Sequence, residues 1–141
     1  MVRQISVFVE NIPGSLMKVT QALEEDGINI RAVSSFDTPE FGILRLIVDR
    51  PAEAADYLKS HGFFVQVKDV IAVEIEDRTG SLNRMLAVLA GGNISINYIY
   101  SFVIRKEQAP VMVFHTEYME EAVQILKKHG VKVIESTEEL E

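Results

Sequence analysis

Two short stretches hold the residue types that could do chemistry: Glu10-Asn11-Ile12-Pro13-Gly14-Ser15-Leu16 and Glu76-Asp77-Arg78-Thr79-Gly80-Ser81-Leu82. In each, an acid and then an amide or second acid precede a tight turn with glycine, and Ser-Leu opens a run of helical spacing. A helix start presents unpaired N–H groups and the positive end of a dipole, and both attract a carboxylate. Glycine in the turn lets the backbone approach a bound group with no Cβ between them. Asn11 and Asp77 stand where they can accept hydrogen bonds from an α-ammonium. That is the chemistry of holding an amino acid. The dipole adds only about 0.3–1 kcal/mol for an exposed carboxylate, so apolar walls must add affinity. Ile12, Ile30 and Ile96 lean toward a branched or aromatic side chain. Glycine, proline and serine are also what any strand-to-helix turn uses, and Ser15 or Ser81 could serve the helix start alone. The constellation's recurrence in register favours a ligand.

The elements that position these loops follow from an internal repeat. Gly14/Gly80, Ser15/Ser81, Leu16/Leu82, Leu23/Leu89, Ile28/Ile94, Ile30/Ile96 and Phe36/Phe102 pair at an offset of 66. Ala54/Ala122, Leu58/Leu126, His61/His129 and Gly62/Gly130 pair at 68, so the length change falls in a predicted hairpin turn. Strands are expected at Ile5–Glu10, Ile28–Ser35, Ile43–Val48 and Phe63–Lys68 in the first half. The second half repeats them at Val70–Ile75, Ile94–Phe102, Val111–Thr116 and Val131–Ile134. Leu16, Val19 and Leu23 predict the core face of one helix, and Leu82, Met85, Leu86 and Leu89 that of its counterpart. Gly27 and the Gly91-Gly92 pair read as stops. Pro51 opens a second helix facing the sheet through Ala54, Ala55 and Leu58, matched by Met119, Ala122, Val123 and Leu126. Gly62 and Gly130 end these helices as C′ residues. The order is βαββαβ twice: an α+β fold of two ferredoxin-like domains, 1–69 and 70–141, each an antiparallel sheet with its helices on one face. No Gly/Pro/Ser-rich linker divides them.

The bulk numbers narrow the function. In 141 residues with a net charge of −7 there is no general basic character for nucleic acid or anionic lipid. The chain has no cysteine, which excludes disulfides, thiol catalysis and Cys-ligated metals. No signal peptide or membrane-spanning run stands out, so the expected place is the cytoplasm. Neither a metal nor a cofactor is expected. His61 and His129 sit at matching helix ends, where a cation suits the dipole. His115 stands alone on a strand. Ser15 and Ser81 have no histidine nearby in sequence to activate them. The acidic run from Glu135 to Glu141 reads as a solvated end.

The pattern Asn11-x-Pro13-Gly14-x-Leu16, a helix, and then Gly27-Ile28-Asn29-Ile30 resembles the ACT domain, a regulatory module of amino-acid biosynthetic enzymes. The likeness covers both halves and is greatest to stand-alone tandem ACT proteins. It implies a small-molecule effector, commonly an amino acid, held between paired domains. The residue before the turn and the second strand of a neighbouring domain would line the site. Carried over by position, these are Asn11, Asn29 and Ile30 in one half and Asp77, Ser95 and Ile96 in the other. The second half departs from the pattern with Arg78-Thr79 for Ile12-Pro13 and Ser95 for Asn29. The expectation is a regulatory protein without catalysis, forming a homodimer and acting in trans on an enzyme or regulator. Its competitors are an acylphosphatase-like hydrolase, an RNA-binding module and a purely structural dimerisation module. The first would want an arginine in the loop, which only Arg78 offers. The second would want aromatics on the third strand, and Ile43–Ile47 has none.

Overall fold

The computed structural model describes residues 1–102, 109–136 and 139. Its elements follow in the order β1 (Val2–Val9), α1 (Ser15–Glu25), β2 (Ile30–Asp37), β3 (Gly42–Val48), α2 (Pro51–Ser60) and β4 (Phe64–Glu74), then α3 (Ser81–Gly91), β5 (Tyr98–Ser101), β6 (Val111–His115), α4 (Met119–Lys128) and β7 (Lys132–Ile134). Residues 3–68 form one compact unit. The other begins at Asp69 and includes Met1 and Val2, with the Met1 ammonium donating to the Glu135 carbonyl at 3.1 Å.

In the first unit β3 lies between β1 and β2, antiparallel to both, and β4 is the other neighbour of β1. Alternation along β1 sends Ile5 and Val7 to the helix side. There they bury against Leu44, Leu46 and Val48 of β3, Val19, Ala22 and Leu23 of α1, and Ala54, Ala55 and Leu58 of α2. The second unit repeats the plan as β5-β6-β4-β7, all antiparallel. Its core joins Ile71 and Val73 to Met85, Leu89, Phe114, Ala122 and Leu126. Both units have the antiparallel, ferredoxin-like arrangement read from the repeat.

Four local expectations change. Leu16 and Leu82, on the first turn of each helix, stay outside the cores, 44% and 39% exposed. The two strands expected around Asp69 are one: β4 runs through it without a break. β5 is four residues long, not nine, because the Thr116 hydroxyl takes the Ser95 carbonyl at 2.6 Å in place of a ladder bond. The left-handed stop after α3 is Asn93 (φ 60°), not Gly91-Gly92. Gly91 is the last helical residue and Gly92 the cap. Asn93 then donates to Ala90, and Ile94 to Leu89, the pattern that also closes α1, α2 and α4. A Cβ on Gly92 would lie 2.4 Å from the tip of the Ile125 side chain, which would have to shift to admit it.

Candidate functional site

The loops between β1 and α1 and between β4 and α3 share one backbone form. Gly14 (φ 87°) and Gly80 (φ 89°) are the N-cap residues, in left-handed geometry, and no side chain caps either helix. Serving the helix start is therefore not the role of Ser15 or Ser81. Ser15 N–H donates to Ile12 at 3.3 Å and Lys18 N–H to Gly14 at 3.0 Å. The amides of Leu16 and Met17 between them meet no acceptor among the described residues. The same holds for Leu82 and Asn83 at α3. Each start thus holds two backbone donors for an anion.

In the first unit this start opens on a cavity of about 340 Å³ lined by Asn11, Ile12, Pro13, Ser15 and Leu16. Its far wall is Ser35, Phe36, Asp37 and Gly42, on the β2–β3 side. Asn11 ties the two walls: its Nδ2 donates to the Thr38 carbonyl at 2.6 Å. That leaves Oδ1 as its acceptor, placed where a Cβ on Gly42 would come within 3.1 Å of it. The Thr38–Phe41 turn beneath is closed by Thr38 N–H and Oγ1 both donating to the Phe41 carbonyl, at 2.9 and 2.8 Å. A Cβ added at Gly14, which does not itself line this cavity, would meet nothing within 4 Å.

The sequence-derived set is only partly brought together. Asn11, Ile12, Pro13, Gly14, Ser15 and Leu16 cluster at one end of the first unit. Asn29 and Ile30 lie at the other end. Val9 and Asp37 both pair with Gly42, whereas Ile30 pairs with Val48. Six residues of strand separate the two levels, roughly 20 Å. Asn29 has its backbone bonded both ways to Asp49, and Ile30 packs on its own core. In the second unit Ser95 is exposed, its carbonyl held by Thr116, and Ile96 packs on its own core. Neither isoleucine lines the cavities at the helix starts.

A second kind of cavity flanks each helix start on the side of the loops after α2 and α4. In the first unit it measures about 430 Å³ and is walled by Phe8, Ile12, Phe41, Phe63 and Phe64, with Ser15 and Lys18. Its counterpart in the second unit, about 600 Å³, is lined at the matching positions by Glu74, Arg78, Ala109, Val131 and Lys132, with Ser81 and Arg84. His129 lines it too. His129 Nδ1 is spent on the Ile125 carbonyl at 3.0 Å, four residues back, as His61 Nδ1 is on Tyr57 at 2.8 Å, so both serve helix ends. Asp77 and Thr79 are exposed, and Arg78 pairs with Glu76 at 2.7 Å. Sequence reasoning missed Asp37 and Arg84. The repeat offset pairs Arg84 with Lys18, so a cation one turn into both helices was there to be seen.

No group of three metal-ligating side chains occurs among the described residues, and no helix there is long and apolar enough to cross a membrane. The sequence matches the model of the ACT domain pair over residues 1–141. The chain belongs to that family. Among solved structures the ACT pair is similar to a protein from Bacteroides thetaiotaomicron (31% identity over 94% of this chain and 91% of that one, TM-score 0.87). It also shares its fold with the ligand-free regulatory subunit of aspartate kinase from Thermus thermophilus (21% identity, 89% and 90% covered, TM-score 0.63). The regulatory subunit of aspartate kinase from Thermus flavus is a further structural neighbour (20% identity, 89% and 90% covered, TM-score 0.60). No curated protein matches.

Proposed function

We propose that this ACT pair is a non-catalytic regulatory protein of the cytoplasm. It binds an amino acid at the start of α1 and acts in trans on a metabolic enzyme or regulator. One observation carries the reading: the uncapped start of α1, through Leu16, lines one wall of a cavity whose other wall includes Asp37, with Asn11 tying the two walls. A carboxylate suits the first wall and an ammonium the second, and the two walls bound a single cavity. That separate regulatory subunits of aspartate kinase share the fold is consistent with action in trans.

Ile12, Leu16, Met17 and Phe36 stand exposed around this start. We assign them to a second copy of the chain, which would close the cavity and bring a further wall to the effector's side chain. Asn29 and Ser95, remote from the helix starts of their own units, would then act as neighbours' residues. Regulation requires the effector to prefer one arrangement of the assembly over another.

A thermal-shift screen of the twenty standard amino acids tests the reading. A ligand at about 100 times its Kd adds roughly 2.7 kcal/mol, several degrees for a chain of this size. Gly14→Asp places a negative charge against the two free amides and is expected to abolish the response while the protein still unfolds cooperatively. A full response in that variant would reject the site. Phosphatase activity towards acyl phosphates, absent in the variant, would instead favour a hydrolase.

A further inference from the structure

We infer that the turn between β2 and β3 is a flap on the first-unit cavity, and that Asn11 is the positioning residue that holds it down. The inference rests on the effector-binding reading of that cavity and adds its regulation: movement of this turn admits the effector and retains it.

The turn is stiff within itself but weakly anchored. The Thr38 amide and hydroxyl donate to the Phe41 carbonyl, and the Phe41 amide returns a bond to the Thr38 hydroxyl at 3.1 Å. Thr38 to Phe41 therefore moves as one piece. Asp37, Pro39, Glu40 and Phe41 are exposed, and of residues 37–42 only Gly42 is buried. A segment with so few buried contacts opens at far lower cost than a core strand does. What reaches it from the β1 side is the Phe8 ring, 5.9 Å from that of Phe41, and the Asn11 side-chain amide, which donates to the Thr38 carbonyl.

Gly42 is fitted to that bond. Its φ lies outside the left-handed region, so glycine is not there for conformational freedom. A Cβ in its place would instead press on Asn11 Oδ1 at 3.1 Å and on Val9 at 3.3 Å. Glycine leaves the room that the Asn11 side chain occupies.

Asp37 and Gly42, the paired ends of the turn, both line the cavity. The position of the turn thus sets the far wall. Asn11 stands in the loop that leads into α1, the near wall, and is itself exposed. A single water-accessible hydrogen bond from Asn11 therefore joins the two walls. A molecule lodged between them adds contacts to both and keeps the flap down. The second unit cannot copy the tie from the matching position. Asp77 stands there, and a carboxylate accepts but does not donate.

Amide hydrogen exchange on the full chain, followed residue by residue by NMR, tests the inference. In the ligand-free wild type the Thr38 and Phe41 amides should exchange through a local opening, at rates nearly unchanged by low urea, unlike the amides of the β1–β3 ladder. Asn11→Asp and Asn11→Leu are close in shape and lack the donor. Each should speed the two turn amides roughly tenfold and leave the ladder amides as they were. A bond that only stabilises the fold would move both sets together. That result, or no acceleration of the turn, would overturn the inference. A second arm adds each of the twenty standard amino acids to the wild type. One that raises the melting temperature should also slow the turn amides, and stabilisation that leaves them unmoved would overturn the flap. Stabilisation by none would reject the effector-binding reading instead, with the ligand-free exchange rates still deciding whether Asn11 holds the turn.

Discussion

Tyr57 shows how one residue's surroundings set a measurable pH dependence. Its hydroxyl donates towards Glu25 at 3.4 Å, linking α2 to the end of α1. Partial burial, and then the negative charge of Glu25, raise its phenol above the usual range. The folded chain therefore keeps this proton to a higher pH than the unfolded chain does. The stabilisation is complete below the ordinary phenol value of about 10 and is lost as pH rises through the folded value. In Tyr57→Phe that part of the alkaline loss should vanish, which urea titrations on either side of pH 10 will read. An unchanged alkaline limb would refute it. At the acid end, Glu135 is held below the usual carboxylate range, chiefly by its hydrogen bond and ion pair with Lys127. Its contribution is present above the ordinary carboxylate value and fades as pH falls through the lowered one.

At the level of elements, all four helices end in the same way, and three of them use glycine at the left-handed position. The fourth uses Asn93. Asparagine tolerates that region, whereas a β-branched residue does not. Asn93→Val should cost about 1–2 kcal/mol, while Asn93→Gly should be nearly neutral; equilibrium unfolding distinguishes them. The repeat made the order of elements and the core positions Val19, Leu23, Ala54 and Leu58 legible, because helical spacing and glycine stops agree twice over. What stayed hidden depended on contacts distant in sequence. The spacing of Leu16 is right for a core residue, but nothing in it says that this first-turn position stays exposed. The glycine pair at 91–92 outranks Asn93 as a stop signal, although Asn93 is the left-handed residue. Arg84 reads as a solvated helix residue until Gly80 and Ser81 are seen beneath it. Asn11 was found by its place before the turn, yet its bond to Thr38, 27 residues on, was not.

For the molecule as a whole, the exposed ring of Ile12, Leu16, Met17 and Phe36 is the feature most at odds with a free monomer. Sedimentation of the wild type should give twice the chain mass. An Ile12→Asp, Phe36→Asp double variant should give the chain mass and lose its effector response with it. A wild-type monomer would remove the second copy from the proposal. The cavities beside the two first helices also differ in lining, aromatic rings in one unit and charged side chains in the other, so duplicate folds need not mean duplicate ligands. A last consequence lies in β4. Its Phe64–Lys68 end belongs to the first unit and its Val70–Glu74 end to the second, so the chain crosses from one to the other inside a strand, where no slack exists to be lengthened or cut.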